Sequence, residues 1–200
     1  MMNNERITEA VGFALELHKE QFRKGTGIPY GSHLLAVASL VMECGGDDDE
    51  CIAALLHDAA EDQGGKATLT IIEGRFGKRV ANIVAECSDT FEIIKPDWQE
   101  RKQQYLNHLP QASESTILVS AADKLHNVRC MLSDYRQLGE ILWKRFSTPH
   151  GAASMLWYHR ELTKEYLRHA AAIRVKPLTD ELLFALAEIE RLMGERNAAV

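Results

Sequence analysis

Residues 53–62 read AALLHDAAED. The stretch begins as a buried apolar helix and then supplies His57, Asp58, Glu61 and Asp62 within two turns. Residues four apart stack on one face of a helix, and neighbours sit about 100° round. His57 and Glu61 would therefore share one row, and Asp58 and Asp62 the next. The remaining positions, Ala53, Ala54, Leu55, Leu56, Ala59 and Ala60, suit close packing against other helices. The polar strip is then partly buried, where an unpaired charge is costly. A divalent cation relieves that cost. Imidazole with carboxylate suits Mn, Fe, Co or Zn, and the lack of thiolate ligands argues against a structural zinc site.

A lone His-Asp pair more often marks a solvated helix end than a metal site, so the weight lies in two further places. His33 opens an apolar helix just after a glycine-rich loop, RKGTGIPYGS. Asp123 lies in VSAADKLHNVR, an acid inside an apolar helical run, with Asn127 one turn on. Three helices thus each turn a ligand-type residue inward, which is what a four-ligand site on rigid elements needs.

Outward from these points the periodicity is helical throughout. Ile7, Ala10, Val11, Ala14 and Leu17 predict an amphipathic helix over 5–21. A second helix starts near Ser32, and GGDDD breaks it. The helix holding His57 ends around QGG. Thr68 or Thr70 would cap the next one, with Glu73 completing a capping box and Gly77 as the stop. Helices follow over 78–89 and 98–108, separated by FEIIKPD, then over 113–133, within 134–146 and over 151–171. Pro177 and Thr179 announce the last, which either packs on the bundle or forms a dimer seam. No strand alternation or repeat appears. The expected fold class is all-α, a single-domain helical bundle.

The 200 residues fit one domain, and the net charge of −6 argues against a nonspecific nucleic-acid binder while leaving room for an anionic small molecule. No apolar run is long enough to span a bilayer, and the N-terminus lacks the apolar core of a signal peptide. Cys44, Cys51, Cys87 and Cys130 form no C-x-x-C pair and read as reduced, mostly buried thiols. The expectation is a cytoplasmic protein with no membrane and no nucleic-acid partner. The acids at 47–50 read as a solvated loop and a helix first turn. His18, His108, His126, His150, His159 and His169 read as surface or core-satisfied histidines, with His126 turned away from Asp123 and Asn127.

The pattern H…HD…D, as His33, His57-Asp58 and Asp123, resembles the HD-domain metal phosphohydrolases. QFRKGTGIPYGSHLLAVA, ALLHDAAED, FGKRVANIVAECSDT and ADKLHNVR are similar to the hydrolase domain of RelA/SpoT-type alarmone enzymes, in the small stand-alone form related to the metazoan SpoT homologue. The resemblance is specific over residues 5–130 and looser beyond. It implies one HD hydrolase domain over 1–200, with the helices of 134–195 completing the bundle.

The resemblance further implies one Mn²⁺ held by His33, His57, Asp58 and Asp123, with other divalent metals as alternatives. Glu61 and Asp62 would orient and deprotonate the attacking water. Arg23, Lys24, Lys102 and Asn127 would bind substrate, and Arg129 would stand behind the site or form a structural ion pair. The implied reaction removes the 3′-pyrophosphate of ppGpp or pppGpp, with ppApp-type nucleotides and NADPH as further substrates. A general HD nucleotidase releasing phosphate and a catalytically silent nucleotide-binding module are the rivals, and a homodimer is left open. Two departures stand out. Leu34 replaces the proline that usually follows the first metal histidine. After Asn127 the spacing changes, so Trp143, Arg145, Tyr158 and Arg160 are candidates for contacts that an Arg and a Tyr make elsewhere in the family.

Overall fold

The computed structural model describes residues 3–91 and 96–198, and within them the chain is helical. In order these are α1 (Asn4–Leu17), α2 (Gly31–Glu43), α3 (Asp48–Leu56), α4 (Ala59–Asp62), α5 (Gly65–Phe76) and α6 (Lys78–Cys87). They are followed by α7 (Trp98–His108), α8 (Glu114–Leu138), α9 (Ala152–Arg168) and α10 (Ala172–Ala198). Short 3₁₀ turns occupy Leu109–Gln111 and Gly139–Arg145. Residues 92–95 of the FEIIKPD connection lie outside the described residues.

Helix starts follow side-chain capping. Asn3, Asp47, Asp97 and Ser113 each accept a hydrogen bond from a backbone N–H of the first turn. At α3, Asp47 and Glu50 satisfy each other's backbone donors in a full capping box. The core is organised round α3, whose residues Cys51 to Leu56 are essentially inaccessible. It packs against α1, α2, α6 and α8. Every face of this helix is covered, and its small alanines let the neighbouring helices approach. Long α8 runs beside α2, α6 and α10, and α10 closes the bundle over α8 and α9. Leu183 and Phe184 stay exposed on α10.

Several boundaries depart from the sequence pattern. The stretch around His57 is not one helix: α3 ends at Leu56, His57 and Asp58 form a turn, and a single further turn makes α4. Thr68 and Thr70 cap nothing. Gly64, at φ 114°, reverses the chain, so α5 starts at Gly65, and both hydroxyls bond back to carbonyls of earlier residues. The helix of 113–133 continues to Leu138 before Gly139 ends it, and 3₁₀ structure replaces the expected helix within 134–146. The last helix begins at Ala172, five residues before Pro177, which sits inside it.

The acids at 47–50 are also less solvated than expected. Glu50 is buried and takes both nitrogens of the Arg174 guanidinium at 2.7 and 2.6 Å, together with the Ser115 hydroxyl at 2.7 Å. This joins α3, α8 and α10 at one end of the bundle. Removing the carboxylate strands a guanidinium and a hydroxyl beside a buried wall. Glu50→Ala is expected to cost about 2–4 kcal/mol in urea unfolding, somewhat below the roughly 3–5 kcal/mol of fully buried pairs because Arg174 is partly exposed. A loss below about 0.5 kcal/mol would mark the pair as a surface contact.

Candidate metal and anion site

Three elements bring the sequence-selected residues together. His33, on the first turn of α2, and His57, in the turn after α3, are buried with their rings edge-on and centroids 5.1 Å apart. Asp58 follows His57, and Asp123 comes from the middle of α8. Adjacent residues on a regular helix do not face each other. The break after Leu56 removes that limit, with Asp58 at φ −96°, ψ −4°. His57 Nε2 then lies 3.0 Å from Asp58 Oδ2 and 3.6 Å from Asp123 Oδ1. His33 Nε2 lies 3.7 and 3.1 Å from the same two atoms. Ligand atoms of His33, His57 and Asp58 all fall within 4.8 Å of one another and could hold a metal ion.

Each ligand-type group is held from behind. His57 Nδ1 pairs with the Ala54 carbonyl at 2.8 Å, and His33 Nδ1 with His126 Nδ1 at 2.7 Å. The Tyr30 hydroxyl donates to Asp58 Oδ2 at 2.6 Å. Lys124 and Asn127 donate to the two oxygens of Asp123, both at 2.6 Å. The buried Nε2 atoms of His33 and His57 face the Asp58 and Asp123 carboxylates and make no other hydrogen bond among the described residues. Two desolvated imidazole nitrogens aimed at carboxylates suit a shared cation, and the imidazole–carboxylate donor set fits a borderline or hard divalent metal.

The electrostatics follow from crowding. Burial pulls the His57 imidazole down, but the Asp58 and Asp123 carboxylates outweigh it and hold it well above the usual range. Burial dominates at His33 and lowers it despite Asp123. Burial raises Asp123, yet Lys124 and the two imidazoles keep it well below the usual carboxylate range. His126 is pushed down to about 4 by burial and by His33.

Beside the quartet lies a cavity of about 540 Å³. Tyr30, Lys124, His126 and Asn127, which support the ligand-type residues, also line it. So do Arg23, Lys24, Arg101, Lys102 and Arg145. Among the described residues, six basic side chains thus face one space with Asp134 as the only carboxylate on its wall. In a chain of net charge −6 this is a strong local focus for an anion. The loop carrying Arg23 and Lys24 is pinned by an isolated bridge between Phe22 and Pro29. Gly25, at φ 70°, lets it pass over Arg145, since a Cβ there would stand 2.8 Å from Arg145 Cδ. Arg23 donates to the Asn127 side chain at 2.8 Å, which ties the loop to α8.

Glu61 and Asp62 stand beside these groups and not on the cavity wall. Glu61 Oε2 accepts the Asp89 backbone N–H at 2.9 Å, and Asp62 accepts from Gln21 at 2.8 Å. Of the four candidates from the altered region, Arg145 and Tyr158 line the cavity. Trp143 packs in the core against Tyr135 and Phe146, and Arg160 pairs with Glu190. Arg129 pairs with Glu181, a structural role. His126 corrects the sequence reading. Three residues from Asp123 it is turned by only about 60°, enough to reach the back of His33. Of the cysteines, Cys51 alone is fully buried, and Cys130 lines the cavity. Tyr30, Lys124, Arg101 and Asp89 were not singled out by the sequence, although Tyr30, Lys124 and Asp89 sit inside the quoted motifs.

An all-α bundle that places histidines and aspartates from three elements beside a basic cavity is the pattern of a metal-assisted phosphate-handling domain. The HD domain family model matches residues 10–153, and the chain belongs to that family. A Xenopus tropicalis protein named guanosine-3′,5′-bis(diphosphate) 3′-pyrophosphohydrolase MESH1 is 43% identical over 126 residues, covering 62% of this chain and 68% of that protein. A solved metazoan orthologue of SpoT, described as hydrolysing ppGpp, superposes with a TM-score of 0.67 at 25% identity over 97% of this chain and 98% of its own. A Listeria monocytogenes EGD-e protein, lmo0812, gives 0.68 at 27% identity over 82% of this chain and 99% of its own. No helix among the described residues is long and apolar enough to cross a membrane.

The support behind His33 generates a test. His126→Ala removes the group that fixes the ring and its tautomer. Mn²⁺ affinity in calorimetric titration is expected to fall roughly 10-fold or more, as for other groups behind metal ligands. Unchanged affinity would show that His33 needs no such partner.

Proposed function

We propose that the chain is a metal-dependent hydrolase that removes the 3′-pyrophosphate of guanosine 3′,5′-bis(diphosphate), with the adenosine counterpart ppApp as a second substrate. The observation that carries this is the pair of buried imidazole nitrogens converging on two carboxylates at the edge of a six-cation cavity. Support comes from the HD family and from the named activity of the frog relative and the SpoT orthologue.

His33, His57, Asp58 and Asp123 would hold the cation, taken as Mn²⁺ from the family resemblance, while the imidazole–carboxylate set also suits Fe, Co or Zn. A divalent ion there lowers the pKa of water and polarises a phosphoryl oxygen. Glu61, one turn beyond His57, takes the proton of the attacking water, with Asp62 helping to orient it. The water oxygen bonds to the phosphorus next to the ribose, the bond from that phosphorus to the 3′ oxygen breaks, and diphosphate leaves. The 3′ oxygen ends as a hydroxyl, so one water is consumed per turnover.

The remaining residues divide by chemistry. Lys102 supplies a point charge to the phosphates, and so does Lys24. Arg23 is planar, lies 5.7 Å from the Tyr30 ring centroid and is fixed by Asn127, so it can stack on a base. Asn127 donates to Asp123 and accepts from Arg23, which couples nucleotide contact to the metal side.

Purified protein with Mn²⁺ is expected to convert ppGpp to GDP and inorganic diphosphate, identified by anion-exchange chromatography. Release of orthophosphate would favour a general HD nucleotidase. Glu61→Gln is expected to keep metal and nucleotide binding while turnover falls about 10²- to 10⁴-fold. Unaltered turnover in that variant would remove Glu61 from the reaction.

A further inference from the structure

We infer that Asp89 is a built-in counter-anion that occupies the phosphate-binding cations between turnovers and gives them up to the diphosphate group. This rests on the proposed activity and deepens it.

Asp89 lies just past α6 and is almost fully buried. Its carboxylate accepts from the Lys102 ammonium and from Arg101 Nη1, the latter at 3.2 Å. Lys102 sits 4.7 Å from the Tyr158 ring centroid, so it has an aromatic face on one side and Asp89 on another. Both cations line the cavity, and Asp89 does not. Asp89 also reaches the chemistry by a second route, because its backbone N–H holds Glu61 Oε2.

Two half-buried lysines share this space, Lys102 and Lys124. Lys124 is neutralised by Asp123. Without Asp89, Lys102 and Arg101 would lose the carboxylate that pairs directly with both of them, a costly change for largely desolvated cations. A substrate that delivers several phosphate charges supplies the counter-charge itself. The same cations would then hold the product diphosphate too well. A carboxylate waiting beside them competes with the product and limits its residence. Asp89 is thus a positioning residue: it aims Lys102 and Arg101, fixes the loop that holds Glu61, and trades its ion pairs for those of the phosphates.

The exchange has a signature that simple loss of structure lacks. Asp89→Asn keeps the size and the backbone N–H but removes the competing charge. Inhibition by inorganic diphosphate is expected to tighten on the order of 10-fold, with KM falling in parallel and kcat falling as release slows. Asp89→Glu should bring the diphosphate inhibition constant back toward the parent value. A merely damaged site would lower kcat with KM unchanged or raised. An Asp89→Asn inhibition constant that is unchanged or weaker overturns the inference. A measurement on the parent chain needs no variant: in crystals soaked with inorganic diphosphate, Lys102 Nζ and Arg101 are expected on the diphosphate and off Asp89. Both cations still seated on Asp89 with diphosphate bound beside them would also overturn it. Failure of the parent chain to cleave ppGpp would instead sink the functional reading, and the soak still reports on the exchange.

Discussion

Two imidazoles and two carboxylates meet within a few ångströms in the middle of an apolar bundle, and the surrounding structure is arranged to make that tolerable. Desolvating such groups costs several kcal/mol each unless they are paired. Here the pairing runs in layers. Asp58 is bonded by Tyr30, Asp123 by Lys124 and Asn127, His57 by a carbonyl and His33 by His126. What these layers leave is the inward nitrogen of each of the two histidines facing the two carboxylates. The packing of alanines and leucines round α3 desolvates one side of the site, and that desolvation strengthens its pull on a cation.

The same economy of charge extends into the cavity. An acidic protein places six basic side chains on one wall system. In the absence of an anionic ligand it partners at least four of them internally: Lys124 with Asp123, Lys102 and Arg101 with Asp89, and Arg145 with Asp134. Arg23 is held by a neutral amide instead. The cations are preorganised by partners that a phosphate can replace, which lowers the cost of ordering them on binding.

The helical class, the inward faces and the convergence of His33, His57, Asp58 and Asp123 were legible because their signals are local. His33 after the glycine loop, the HD pair and Asp123 in an apolar run all break a periodic pattern in a way that only burial with a purpose explains. The breaks in helical geometry were not legible. Nothing in AALLHDAAED announces that the helix stops at Leu56, since alanines on both sides favour its continuation. The stop comes from tertiary packing, and it is what lets His57 and Asp58 converge. Pro177 pointed to a helix start, but the helix begins five residues earlier. His126 was misjudged because a 60° offset on a helix face is small compared with the reach of an imidazole. Asp89 sits in the quoted FGKRVANIVAECSDT stretch, yet its pairing with Arg101 and Lys102 was not legible, because a spacing of 12 and 13 residues across the connection from α6 to α7 follows no helical period.

The most direct test is anomalous diffraction at the manganese edge from crystals grown or soaked with Mn²⁺. The account predicts one strong peak at about 2.0–2.3 Å from the Nε2 atoms of His33 and His57 and from a carboxylate oxygen each of Asp58 and Asp123. A peak elsewhere, or none at this quartet with Mn²⁺ in excess, would contradict it.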